Sequence, residues 1–217
     1  MEQLLAEEGD AAGSEFRQEA GVGRLAALVG KDGPCGIFER LMTHSGVMSY
    51  PAAIFGGGAG LKISSVNARV VPPVEPDRRA ARVAAAAAAT GAAEAAAAAA
   101  GAQPLHADFS AVADSSGPWV ANVLVALSPY NATTGPLRAV PGSHKWGRLP
   151  AADMEDPRRP HPEEARIVAE RGDCIVLDAH CWHAGTENLS TDVNKAAVHL
   201  FWCRRDKPQQ QHQRRWI

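Results

Sequence analysis

Little in this chain points to a membrane, a nucleic acid or an oxidising compartment. No run of about 18 apolar residues occurs, so no segment is expected to cross a bilayer as a helix. The net charge of −2 removes the basic balance that a nucleic-acid or anionic membrane partner would favour. Residues 1–10 are acidic and lack the basic-then-apolar order of a signal sequence. The four cysteines, Cys35, Cys174, Cys181 and Cys203, show no C-x-x-C spacing. They read as reduced, partly buried thiols of a cytoplasmic protein. Asn131-Ala132-Thr133 and Asn188-Leu189-Ser190 fit the glycosylation pattern, and in such a protein they stay unmodified. Gly56-Gly57-Gly58 has no following Gly-Lys-Ser/Thr, so it reads as a loop and not a phosphate cradle.

What the chain does contain is a series of short apolar runs separated by turn residues. Its 217 residues suffice for one domain with a sizeable core. After a polar, Gly-rich start, Leu25, Leu28 and Val29 suggest a short helix following Gly23. Ile37, Phe38, Leu41 and Met42 recur at helical spacing, with Gly46 as a stop. Residues 61–71 read as a strand closed by Pro72-Pro73, with Ser65, Asn67 or Arg69 as its inward polar residues. Residues 75–101 are dominated by alanine, which favours helix but supplies no large side chain to bury. They read as an insertion. Trp119 to Leu127 is a buried strand, Pro136 to Val140 a shorter one, and residues 150–166 a charged, proline-rich surface excursion. Arg171-Gly172-Asp173 turns the chain into Cys174 to Leu177, and Lys195 to Arg204 alternates as a closing strand. The tail from Lys207 onward is polar and expected to be disordered. Short strands without a strand–helix rhythm indicate an antiparallel sandwich or barrel, with a small helical N-terminal part outside it.

Chemistry concentrates in Gln103-Pro104-Leu105-His106-Ala107-Asp108. On an extended strand His106 and Asp108 point to one face, placing an imidazole beside a carboxylate. A second histidine would complete a 2-His-1-carboxylate set, which suits non-haem Fe(II) and leaves positions open. His144, His180, His183 and His199 are the candidates, and placement at the end of a short strand favours His180 and His183 over His199.

Several stretches together resemble the phytanoyl-CoA dioxygenase (PhyH-like) family. They are Gln-Pro-Leu-His-x-Asp at 103–108, Pro141-Gly142-Ser143-His144, the strand opener Gly172-Asp173, and Trp182-His183-x-Gly185 followed by Asn188-x-Ser190. They occur in the family's order over roughly residues 61–207, and Ser64-Ser65-Val66-Asn67-Ala68-Arg69 is similar to family members as well. The resemblance implies a mainly β fold with a double-stranded β-helix (jelly-roll, cupin-like) core. A few N-terminal helices would occupy 1–60, the Ala-rich insertion 75–101 and a polar tail 208–217, all in one domain. It further implies Fe(II) held by His106, Asp108 and His183, 2-oxoglutarate as co-substrate, O2, and a small organic substrate. His144 would then be structural. Halogenating relatives lack the carboxylate, so Asp108 implies hydroxylation.

The chain departs from the family at one point. The family's arginine for the far carboxylate of 2-oxoglutarate falls about eleven residues beyond the distal histidine, where this sequence has Asn194 and then Lys195. A lysine is a point charge and binds a carboxylate less specifically than a guanidinium fork. Asn67, Asn194 and Lys195 are therefore the candidate co-substrate contacts, with Arg138 or Arg69 as substitutes from other strands. The competing readings are a cupin-like binding domain that has lost the co-substrate and a metal enzyme that dispenses with it.

Overall fold

The strands that the sequence marks most plainly are also the ones that frame the molecule. A computed structural model describes residues 23–25, 28, 36–88, 103–108 and 117–209. Among them are the strands β1 (Gly23–Leu25), β2 (Leu61–Val71), β3 (Val120–Ala126) and β4 (Leu137–Ala139). They are followed by β5 (Ala165–Ile167), β6 (Cys174–Asp178), β7 (His183–Gly185) and β8 (Lys195–Arg204). The helices are α1 (Ile37–Thr43), α2 (Ser45–Ile54) and α3 (Pro76–Ala88). Five strands form one sheet in the order β1-β2-β8-β3-β6, and three form another in the order β5-β4-β7. Every pairing is antiparallel. The architecture is a double-stranded β-helix, mostly β with few helices.

Side-chain alternation sorts the large sheet into two faces. Val66 and Ala68 of β2, Val123 and Val125 of β3, and Val198, Leu200 and Trp202 of β8 join one core with Phe38, Met42 and Val47. Those last three come from α1 and α2, so the helices cover the outer face. Leu124, Ala126, Ala197, Ile175 and Leu177 point the other way and meet Leu137 and Ile167 of the small sheet. β3 is covered on both sides, which is why all seven of its residues are buried and its sequence shows no polar alternation. β8 lies in the middle, paired with β2 from Leu61↔Arg204 to Val71↔Lys195 and with β3 from Val120↔Cys203 to Ala126↔Ala197.

Several expectations need correction. Gly23–Leu25 is a strand and not the start of a helix, because it pairs with Ala68, Arg69 and Val70 of β2. Gly46 does not end the helical stretch. His44 does so by turning extended (φ −61°, ψ 130°), and its Nδ1 then accepts the Gly46 N–H to cap α2. The surface excursion contains β5. The tail is tied down at its start, where the Lys207 ammonium lies 4.0 Å from the Trp119 ring centroid and Gln209 donates to the Ile63 carbonyl. Of the Ala-rich segment, residues 76–88 are helical. Residues 89–102, Cys35 and the tail beyond 209 lie outside the described residues.

Candidate metal centre

Short elements at one end of the barrel deliver three donors. His106 is not in a regular strand: it forms an isolated antiparallel bridge with His183, the two residues exchanging both backbone hydrogen bonds at 3.0 and 2.9 Å. Beyond it the chain bends, and the Asp108 N–H donates to the Ala179 carbonyl (2.8 Å). The two residues therefore converge through a bridge and a bend, in place of the same-face strand alternation expected from their spacing. His183 opens β7.

The donor atoms of His106, Asp108 and His183 all lie within 4.8 Å of one another. His106 Nε2 is 3.8 Å from Asp108 Oδ1, and His183 Nε2 is 3.4 Å from Asp108 Oδ2. Each imidazole is held from behind in the same way. His106 Nδ1 is 2.9 Å from the Pro104 carbonyl and His183 Nδ1 is 2.9 Å from the Cys181 carbonyl. A carbonyl oxygen only accepts, so each Nδ1 carries a proton, and once Nε2 gives up its own proton each ring turns that nitrogen's lone pair toward the cluster. Backbone support of that kind is what orients histidine ligands in metal sites.

Charge fits the same role. Burial works against the Asp108 carboxylate, but His183, by charge and hydrogen bond, and then His106 outweigh it and hold its carboxyl well below the usual carboxylate range. Burial likewise opposes the charged form of His183, yet Asp108 raises it above the ordinary histidine value. A divalent cation would take the place of that proton between them. The donor set, two imidazoles and one ionised carboxylate, suits Fe(II), and one flank stays accessible because the His106 side chain is 34% exposed.

Other predicted residues are dispersed. His180 pairs with Asp178 at 3.1 Å and sets its edge against Trp119, and His144 lies in a 3-10 turn. Arg138 is buried and held by Glu164 in a two-pronged pair (2.9 and 2.7 Å) and by the carbonyls of Arg158 and Arg159. Asn194 is exposed, whereas Lys195 is almost wholly buried. The Lys195 ammonium donates to the carbonyls of Gly135 and Thr186 and sits 5.6 Å from the Tyr130 ring centroid. Asn67 is buried and pairs in register with His199.

A second cluster lies beside Gly185, two residues from His183. Gln103 brackets the Gly185 peptide, its Oε1 accepting from Gly185 N–H (2.8 Å) and its own N–H donating to the Gly185 carbonyl (2.9 Å). A methyl group at Gly185 would come 2.8 Å from Gln103 Oε1 and 3.2 Å from Arg69 Nη1. Burial pushes the Tyr130 hydroxyl up to about 12, with the Arg69 charge opposing it. Sequence reasoning passed over Gln103 as a contact, and also Tyr130 and Asn122. Asn122 had one visible signal: it is the lone amide in an otherwise apolar run.

Fold and donor set together define a double-stranded β-helix protein with two histidines and a carboxylate facing one another. The family model described as phytanoyl-CoA dioxygenase (PhyH) matches residues 75–196, more than half of the sequence, and the chain belongs to that family. It is 30% identical over 106 residues to the iron/alpha-ketoglutarate-dependent dioxygenase penM of Penicillium thymicola, covering 46% of this chain and 32% of that protein. Against the multifunctional dioxygenase ausE of Aspergillus calidoustus it is 26% identical over 112 residues, covering 48% and 38%. The chain thus spans about a third of the length of these curated relatives. Among solved structures, HygX of Streptomyces hygroscopicus with nickel and 2-oxoglutarate bound superposes with a TM-score of 0.62 at 14% identity, covering 95% of this chain and 78% of that one. The epimerase SnoN in complex with Fe3+, alpha ketoglutarate and nogalamycin RO gives 0.61 at 21% identity, covering 94% and 71%. At these identities the structural likeness speaks for the fold.

Proposed function

We propose that this chain is an Fe(II)- and 2-oxoglutarate-dependent dioxygenase that hydroxylates a C–H bond of a small organic substrate. The observation that carries the reading is the convergence of His106 Nε2, His183 Nε2 and the Asp108 carboxylate, with both rings fixed from behind by backbone carbonyls. These three would hold the iron. Bound there, iron would supply the redox chemistry by which 2-oxoglutarate, O2 and a substrate C–H bond give succinate, CO2 and the hydroxylated product.

The remaining residues bind and orient. The co-substrate is a dianion, and Lys195 and Arg69 bring cationic groups to the barrel interior around Tyr130. Lys195 is the contact we assign to the far carboxylate, with Arg69 and Gln103 beside Gly185 as the second group of donors. Asn67 is buried on β2 two residues before Arg69, on the same face of that strand, while Asn194 is exposed and is left out of the assignment. The reading takes residues 1–217 as one domain. It places the protein in the cytoplasm, in keeping with the free thiols of Cys174, Cys181 and Cys203, and no helix among the described residues is long and apolar enough to cross a membrane.

The test is succinate formation from labelled 2-oxoglutarate with Fe(II), O2 and ascorbate. Slow turnover is expected even without the substrate, and it should vanish in Asp108→Ala. A protein that binds Fe(II) but never yields succinate, alone or with a panel of small substrates, would overturn the reading in favour of a cupin-like binding domain.

A further inference from the structure

The central strand β3 carries one residue that neither the core nor the assigned ligand set accounts for. Six of its seven side chains are apolar and the seventh is Asn122, which is 1% exposed and stands opposite Leu177 of β6 and Phe201 of β8. Burying an amide there is unfavourable unless its hydrogen bonds are made. Asn122 makes them on one side only. Nδ2 donates to Asp108 Oδ2 at 3.1 Å and lies 3.5 Å from His199 Nδ1, whereas Oδ1 is buried with no hydrogen-bond partner among the described residues. The amide cannot gain by turning over, because Oδ1 would then set its lone pairs against those of the carboxylate. A residue selected only to satisfy itself would pair both ends; here the donor end decides the position.

The need for that donor follows from how Asp108 is delivered. It sits in a bend whose backbone is anchored through its N–H on the Ala179 carbonyl, so its carboxylate is not aimed by strand geometry. β3, by contrast, is paired on both edges and packed on both faces. We propose that Asn122 is the positioning residue of Asp108. It carries the rigidity of the central strand to the carboxylate, and by donating to Oδ2 it fixes the plane of the group, so that the carboxylate would not be free to turn both oxygens onto a metal. A carboxylate closing on the metal with both oxygens would occupy a position that co-substrate or O2 needs. The inference rests on the assignment of His106, Asp108 and His183 as ligands.

Titration with Co(II), followed by its visible absorption, tests it without relying on turnover. In Asn122→Leu the Co(II) dissociation constant should rise roughly ten- to a hundredfold, the usual scale for lost support of a ligand. The band shape should change as the carboxylate changes its grip, and the metal-free protein should keep its melting temperature. Asn122→Thr, which returns a donor on a side chain suited to strands, should recover part of the affinity. A Leu variant with wild-type affinity and spectrum overturns the proposal, as does one that melts earlier yet binds Co(II) with an unchanged spectrum. Should the Leu variant not fold, Asn122→Ala removes the same donor, and unchanged Co(II) binding there overturns the proposal equally. Failure of the wild-type protein to bind Co(II) would instead overturn the ligand assignment itself.

Discussion

Lys195 is a buried ammonium whose hydrogen bonds run to two backbone carbonyls, so truncating it to alanine would strip both carbonyls and leave a cavity. Lys195→Met keeps the packing and removes the charge. It should raise the Michaelis constant for 2-oxoglutarate roughly ten- to a hundredfold, the scale of one lost charged hydrogen bond, with a smaller effect on kcat. Steady-state kinetics at varied 2-oxoglutarate would show this, and a change confined to kcat would remove Lys195 from the binding role. Tyr130 beside it gives a prediction in pH. Its hydroxyl ionises at an ordinary value of 10.0 in the unfolded chain and at about 12 in the folded one. The folded state thus holds the proton longer, and the stability linked to it is complete below pH 10 and lost as pH rises through about 12. Over that window wild type should lose roughly 2 to 3 kcal/mol. Urea melts of Tyr130→Phe should lack that part of the slope; an identical slope would show that Tyr130 is not the group responsible.

At the level of elements, β7 and the segment around Gln103 approach so closely that a methyl group at Gly185 would press on the ends of the Gln103 and Arg69 side chains. Its backbone is not in the left-handed region, so Gly185→Ala should fold, and the cost should fall on Gln103 and Arg69, which must move. We expect weaker 2-oxoglutarate binding by calorimetry with little change in melting temperature; unaltered binding would show that this cluster lies off the co-substrate path. The elements also show what sequence could reveal. β2 and β8 were legible to their terminal residues, β2 from its apolar residues and the Pro72-Pro73 stop, β8 from its alternation. Three-residue strands such as β1, β5 and β7 hold too few side chains to display a period, and each exists because a partner strand is present. The same limit applied to the site. The residue types of His106, Asp108 and His183 stood out, but their approach through a bridge and a bend depends on contacts between distant segments. Alternation said that Asn194 and Lys195 face opposite ways; only the packing of the two sheets says which one faces in.

For the whole molecule, the three donors come from two segments joined by the His106–His183 bridge, the Asp108–Ala179 hydrogen bond and the Gln103–Gly185 pair, and a metal ion should add a further tie across the mouth of the barrel. Ligands that bind only the folded state stabilise it by mass action. Mn(II) at about a hundred times its dissociation constant should raise the melting temperature by roughly 5 to 10 °C, and EDTA should reverse the gain. Asp108→Ala should show no such response. A shift of equal size in that variant would place the ion elsewhere.

The position of β8 has a consequence for how the protein is made. β2 and β3 do not pair with each other; within the sheet each pairs with β8, which leaves the ribosome after both. During synthesis the two earlier strands must wait with unpaired edges, and pairings such as Leu61↔Arg204 close across most of the chain. Long-range pairing of this kind is slow and exposes surfaces prone to aggregation. A chain released after Asn194 would keep nearly every residue of the candidate metal centre and still lack the strand that makes one sheet of two fragments. Such a product should appear in the insoluble fraction, while addition of a peptide spanning 195–209 during refolding should return part of it to solution.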